Sequence, residues 1–261
     1  MADKIKFKFN NETFGDFLDK LTDLTKIDKT IKLKIDNDNI LMYSMAGTGI
    51  MLACKSYIID RDTYLKGYRE ELDFIYDVII PNCDKFVKNL NFIKDEDLIT
   101  LQLTHRDSNE SDGVKIARKI EVKGDKLKVN WLGGEYYEVK DLSKEVLRTQ
   151  LNLNLRDWYF TMSKEQFEDI KKLSRINSSN IININVDEGK VNFYEQSAWD
   201  LEIGEIEPIN KSFILNKRFL KCIDNNEDNL DFSLFPNFIL IKEENSNLML
   251  SYEQDFDDDD L

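Results

Sequence analysis

Two stretches of the chain carry the same alternation of apolar and polar residues. Ile31-Lys-Leu33-Lys-Ile35 and Ile40-Leu-Met42-Tyr43 flank the polar run Asp36–Asn39, and Ile182-Asn-Ile184-Asn-Val186 and Val191-Asn-Phe193-Tyr194 flank Asp187–Lys190. Ile31, Leu33, Ile35, Ile40, Met42 and Tyr43 each recur as an apolar residue 151 positions later. A period of two predicts strands, and the polar four-residue runs predict turns, so each stretch reads as a β-hairpin.

The pattern changes upstream of each hairpin. Phe14, Phe17, Leu18, Leu21 and Leu24 recur at three- and four-residue spacing, as do Phe167, Ile170 and Leu173, which predicts amphipathic helices. Asn11 or Thr13 is the expected cap of the first, and Ser163-Lys-Glu-Gln166 reads as a capping box for the second. Phe9 and Phe160, again 151 apart, are expected to end the strand that feeds each helix.

Downstream the halves stay parallel. A strand at 77–80 leads to a helix with Phe86, Val87 and Leu90, then strands at 98–104, 114–122 and 126–131. A strand at 212–215 leads to a helix with Phe219, Leu220 and Ile223, then strands at 230–235, 238–242 and 248–252. Each half reads βαββ(β)βαβββ, and matched hairpin registers point to an internal duplication. The expected class is α+β, two tandem domains each with two helices packed on antiparallel sheet. The first domain is placed at 1–134, a connector at 135–152, the second domain at 153–252 and an acidic tail at 253–261.

Composition narrows the function classes. The 261 residues include 50 Asp and Glu against 36 Lys and Arg, a net charge of −14, which argues against a simple basic nucleic-acid binder. Hydrophobic residues make up 41%, enough to build a core. Cys54, Cys83 and Cys222 lie far apart and read as buried thiols in a reducing compartment, neither disulfide framework nor zinc site. No apolar leader or membrane-length run is seen, so a soluble intracellular protein is expected, with no membrane partner. The single histidine, His105, sits in an alternating run and reads as structural. Glycine fingerprints for nucleotides, nucleophile-elbow and zinc-helix spacings are absent. Asp36-Asn-Asp38 lacks the remaining ligands of a calcium loop and reads as a turn. No catalytic residue, metal or cofactor is expected.

The tandem arrangement resembles the DNA polymerase sliding clamps, of the proliferating cell nuclear antigen and phage type. Local text carries the resemblance further. Tyr43-Ser-Met45-Ala-Gly-Thr-Gly-Ile50-Met-Leu52 resembles the family's Ser-Met-Asp-x-x-His-Val-x-Leu loop. Lys85-Phe-Val-Lys88, followed by Asp95-Glu-Asp-Leu-Ile-Thr-Leu101, resembles the family's Lys-Ile-Leu-Lys helix and next strand, and Phe167–Ile176 resembles its second-domain helix. Ala46 and Gly49 replace the loop's usual Asp and His, and the first helix is acidic, which suggests a divergent, viral or phage member. The resemblance implies a non-enzymatic processivity factor. Six domains would close a ring around double-stranded DNA, so a two-domain chain is expected to form a homotrimer, with a monomeric variant as the alternative. The helices would line the hole, and a DNA polymerase and a clamp loader would be the partners. It would act in the cytoplasm or nucleoid of a phage host, or in a nucleus.

That reading demands basic helices within an acidic chain. The window 12–26 has Lys20 and Lys26 against Glu12, Asp16, Asp19 and Asp23, or −2. The window 83–94 has Lys85, Lys88 and Lys94 against Asp84, or +2. The window 163–175 has Lys164, Lys171, Lys172 and Arg175 against Glu165, Glu168 and Asp169, or +1, and 216–223 has Lys217, Arg218 and Lys221, or +3. The four windows total +4, leaving −18 elsewhere. The DNA-facing set is therefore Lys20, Lys85, Lys88, Lys171, Arg175, Lys217, Arg218 and Lys221, although short amphipathic helices also carry Lys simply on their wet face. On the outer face the family holds partner peptides in an apolar pocket. Matched positions here are Met45, Leu52 and Pro236, with Leu142 as an approximate connector position; Met45 and Leu52 read equally well as core. The competing function is an acidic DNA mimic or inhibitor of a DNA-processing enzyme, which predicts acidic helices instead. An unrecognised hydrolase is the remaining class.

Overall fold

The computed structural model describes residues 3–48, 51–67, 71–109, 112–135, 139, 158–176, 178–196, 198–206, 211–223, 228–243 and 246–252. The chain divides into two compact units, 1–45 with 55–141, and 46–54 with 142–261. The segments 140–157 and 253–261, which hold most of the expected connector and the tail, lie outside the described residues.

In the first unit the order is β1 (Asp3–Phe9), α1 (Asn11–Leu24), β2 (Ile31–Ile35), β3 (Asn39–Thr48), β4 (Met51–Asp60), α2 (Arg61–Tyr64), β5 (Leu65–Gly67), β6 (Ile75–Ile80), α3 (Cys83–Leu90), a 3-10 turn (Asn91–Ile93), β7 (Thr100–Asp107), β8 (Val114–Lys123) and β9 (Lys128–Leu132). Apart from β4, which lies beside β3, its strands lie in the order β3-β2-β6-β8-β7-β1-β5, with β9 beside β8. Among these, β6 and β8 run parallel and the other pairs antiparallel. The second unit runs β10 (Trp158–Ser163), α4 (Lys164–Leu173), β11 (Ile181–Asp187), β12 (Lys190–Glu195), β13 (Trp199–Glu205), β14 (Lys211–Asn216), a 3-10 helix (Lys217–Lys221), β15 (Asn229–Leu234), β16 (Phe238–Lys242) and β17 (Asn247–Ser251). Its strand orders are β10-β15-β16-β17 and β13-β12-β11-β14. The two element lists match, save for the added α2 and β5 and for a 3-10 helix alone where the first unit has α3 and its 3-10 turn.

The hairpin registers coincide as the apolar spacing predicts. Leu33 pairs Met42 and Ile35 pairs Ile40, while Ile184 pairs Phe193 and Val186 pairs Val191, each residue 151 from its counterpart. The turns differ. Asp36 Oδ1 accepts the N–H groups of Asp38 and Asn39 at 2.9 and 2.7 Å, so a side chain closes the first loop. The second closes on two residues, Glu188 (φ 47°) and Gly189 (φ 88°). Two successive positive φ values build the type I′ turn that suits the twist of a hairpin.

α1 buries Phe14, Phe17, Leu18, Leu21 and Leu24. Phe9 packs edge-on against Phe14 at 4.7 Å and beside Phe17 at 5.2 Å. Burial of such a side chain stabilises by about 1.5–3 kcal/mol, so this face anchors the helix to the sheet. The cap of α1 is Asn10, whose side chain accepts the Glu12 N–H at 3.2 Å, instead of Asn11 or Thr13. Asn11 instead donates its amide to the Glu96 carbonyl at 3.3 Å and to that of Asp97. The capping box at Ser163 forms as read, with Gln166 N–H to Ser163 Oγ at 3.2 Å and Ser163 N–H to Gln166 Oε1 at 2.9 Å. Phe9 does end β1, but Phe160 lies inside β10, opposite Phe232. It stacks on that ring at 4.9 Å and meets Phe193 at 6.1 Å, forming the second unit's aromatic core.

The expected fourth helix, 216–223, is a 3-10 helix of five residues, Lys217–Lys221. Short helical segments commonly take this tighter form. All three cysteines are buried and free, and burial pushes the Cys54 thiol up to about 12.

Candidate nucleic-acid interface

The two basic helices are each oriented by an apolar face. On α3, Cys83, Phe86, Val87 and Leu90 are buried, which turns Lys85, Lys88 and Asn89 outward. Phe86 packs on Trp131 of β9 at 5.4 Å, and the indole N–H donates to the Pro81 carbonyl at 2.9 Å. These contacts tie the middle of the helix and the residues leading into it to β9. Lys88 falls in the last turn, where the helix dipole favours a cation. On α4, Phe167 and Ile170 are buried while Lys172 and, just past the helix, Arg175 are exposed. The 3-10 helix buries Phe219 and Leu220 and exposes Arg218 and Lys221. Asn216 caps it by accepting the Arg218 N–H at 3.0 Å.

Tertiary contacts sort the eight expected DNA-facing residues into two groups. Lys85, Lys88, Arg175, Arg218 and Lys221 are exposed and carry no ion pair among the described residues. The other three are engaged. Lys20 has a side chain that is 11% exposed, its ammonium lies 2.6 Å from Asp16, and it sits over the Tyr57 and Tyr64 rings at 5.6 and 5.7 Å. Burial pushes the Asp16 carboxyl up, but hydrogen bonds from Lys20 and Tyr64 outweigh it and hold the group below its usual range. Lys171 is paired with Glu168 at 3.1 Å and packs on Phe167. Lys217 meets the buried Glu195 at 2.7 Å and donates to the Ser174 carbonyl at 2.8 Å. It ties the 3-10 helix to β12 and to the end of α4 rather than facing outward.

α1 therefore presents the exposed acids Glu12 and Asp19, with its one lysine, Lys20, engaged. Lys26 and the fully buried Lys55 both meet Asp23 at 2.6 Å, and Tyr57 donates to the same carboxylate at 2.6 Å. Burial raises the pKa of Asp23, yet Lys55 and these hydrogen bonds hold it below the ordinary carboxylate range. A Cβ at Gly15 of this helix would lie 3.0 Å from the end of the Lys94 side chain, which a larger residue there would displace slightly. Lys20→Met is expected to leave duplex-DNA affinity within about twofold of wild type, since a largely buried, ion-paired lysine offers no counterion-releasing contact. Fluorescence anisotropy at low salt measures it, and a tenfold loss would restore Lys20 to the interface.

Solved structures supply the deciding comparison. The chain superimposes over 96% of its length on a putative DNA polymerase III beta subunit from Eubacterium rectale, with a TM-score of 0.65 at 11% identity. The chain has the sliding-clamp fold. It spans 65% of the length of that bacterial protein. It also matches Archaeoglobus fulgidus PCNA bound to the C-terminal region of FEN-1, with a TM-score of 0.59 at 9% identity over 95% of this chain and 97% of that one. Helicobacter pylori beta clamp bound to a DNA ligase peptide matches with a TM-score of 0.62 at 14% identity, over 95% of this chain and 66% of that one. No family model and no curated protein matches the sequence.

In the clamp fold the expected peptide-pocket residues are distributed as follows. Met45 lies in β3 and is half-buried; Leu52 lies in β4, with its side chain outside the described set, as is Leu142. Pro236 is exposed in the turn between β15 and β16. Aromatic residues that the sequence reading passed over surround that turn in the second unit. Phe235 stacks on Phe238 at 4.5 Å, and Tyr252 packs against Phe213 at 4.6 Å. Their signal was two Phe flanking Pro-Asn, which is indistinguishable from core in a linear pattern. His105 is buried on the core side of β7 against Tyr76 at 5.2 Å. Burial and then Lys115 hold its imidazole below the ordinary range, so it is neutral at pH 7. Among the described residues, no helix is long and apolar enough to cross a membrane.

Proposed function

We propose that the protein is a DNA polymerase processivity factor, a ring of identical chains that encircles duplex DNA and tethers the replicative polymerase. The observation that carries this is the set Lys85, Lys88, Arg175, Arg218 and Lys221, exposed and without an ion pair among the described residues, on or just past the helical elements of a clamp fold whose net charge is −14. Contacts of this kind with phosphates are sequence-independent and long-range, as sliding requires. The acidic remainder discourages DNA from binding elsewhere on the surface. A DNA mimic needs the opposite arrangement on α3, α4 and the 3-10 helix.

Ring closure is supported by two sheet edges. β9 pairs β8 on one side, and β13 pairs β12 on one side. β9 ends in Leu132, 76% exposed, and β13 begins at Trp199, whose indole nitrogen is buried without a hydrogen-bond partner among the described residues. Head-to-tail pairing of these edges between copies would cover both strands and close by rotation. Three chains make the expected ring. Met45, Leu52, Leu142 and Pro236 would hold a short peptide of the polymerase or another partner, and a clamp loader would open the ring. The tether acts by raising the polymerase's effective concentration at the primer end.

Light scattering tests the assembly, with an expected mass three times the 30.7 kDa of the chain. Retention on circular but not linearised DNA tests the topology. A monomer that leaves both DNAs equally fast would sink the ring.

A further inference from the structure

The basic face of α3 does not end in a polar residue. Lys85, Lys88, Asn89 and Phe92 follow one another at the i, i+3, i+4 and i+7 positions of a helix face, and all four are exposed. Leu90 and Asn91 keep right-handed helical angles, φ −68°, ψ −28° and φ −60°, ψ −22°, so the 3-10 turn carries that face onward without a break. Phe92 is 77% exposed, whereas its neighbours Leu90 and Ile93 are fully buried. The ring is therefore turned away from the core at the end of a line of lysines, beside the side-chain amide of Asn89.

We propose that Phe92 is a stacking platform for an unpaired base of single-stranded DNA at a primer–template junction, with Lys85 and Lys88 holding the adjoining phosphates. The inference rests on the DNA-encircling reading and names a second substrate of the same surface. An aromatic ring interleaved with cations is the arrangement that binds single strands without sequence preference, because every base has a π-face and every linkage a charge. Paired bases in the interior of a duplex present no free face. Driving the ring between them would kink the helix and arrest sliding, so the base that meets Phe92 is one already unpaired. The end of α4 provides a contrast within the same chain. Lys172 and Arg175 lead there to Ile176, 69% exposed, which is apolar but has no π-face.

The test uses the full chain and two labelled DNAs: a blunt duplex, and the same duplex with a 5′ single-stranded overhang. Anisotropy at low salt is expected to show tighter binding of the overhang DNA by wild type. Phe92→Ala should weaken overhang binding about tenfold and leave blunt-duplex affinity within about twofold. Phe92→Trp should retain the preference, and Ile176→Ala should change neither affinity. The inference is overturned if wild type shows no preference for the overhang, if Phe92→Ala preserves it, or if Ile176→Ala removes it equally. A lower solution mass for Phe92→Ala also overturns it, by assigning the ring to a contact between copies. Lys88→Glu separates the two levels. Weaker binding of both DNAs with an unchanged Phe92 effect supports both readings, whereas no change on either DNA sinks the DNA-encircling reading and this inference with it.

Discussion

Lys88→Glu combined with Lys221→Glu is expected to abolish retention on circular DNA at moderate salt and weaken duplex binding at low salt by at least about tenfold. Both side chains are exposed without an ion pair among the described residues, one at the end of α3 and the other at the end of the 3-10 helix. Each lysine that neutralises a phosphate contributes about one counterion to the salt dependence, so the log–log slope should become shallower by about one per lost contact. Reversal also introduces repulsion toward the duplex. Phe86, Val87, Phe219 and Leu220 hold the two elements from their buried sides, so folding should be unaffected and the solution mass unchanged. Unaltered DNA-dependent polymerase stimulation with an unaltered salt slope would refute the basic face.

Asp77→Ala is expected to destabilise the first unit by about 3–5 kcal/mol. Lys32 of β2 and Asp77 of β6 form an ion pair at 2.9 Å with side-chain exposures of 0% and 1%. Removing the carboxylate leaves an ammonium buried in the sheet, and that penalty exceeds the worth of the pair itself. The double variant Lys32→Met, Asp77→Leu should recover most of the loss, because apolar residues of similar volume need no compensating charge. Urea unfolding of the single and double variants measures both, with midpoints compared at equal slope. A single-variant cost below about 1 kcal/mol would mean that water reaches Lys32 and that the pair is dispensable.

The periodicity of side chains was enough to read the elements that alternate or repeat locally. The two hairpins, the capping box at Ser163 and the apolar faces of α1, α3 and α4 are each set by residue types a few positions apart. The cap of α1 fell one residue away from the expectation because Asn10 and Asn11 are both competent caps, and Asn11 was drawn to the carbonyls of Glu96 and Asp97. The fourth helix was legible as an amphipathic segment, but its 3-10 form was not, since five residues carry too little pattern to separate the two.

The charges divide in the same way. Sequence by itself determined that the helical windows are richer in cations than the rest of an acidic chain, and which lysines share a helix face. Tertiary structure decided which of those cations remain available. Lys217 is consumed by Glu195, 22 positions away and on another strand, and Lys20 is held by Tyr57 and Tyr64 as well as by its neighbour Asp16. Lys32 occupies a polar position of an alternating strand, yet it is buried because Asp77 arrives from the adjacent strand to meet it. Local periodicity reports the face on which a side chain starts, while its charge is spent through space on partners that the order of residues does not reveal.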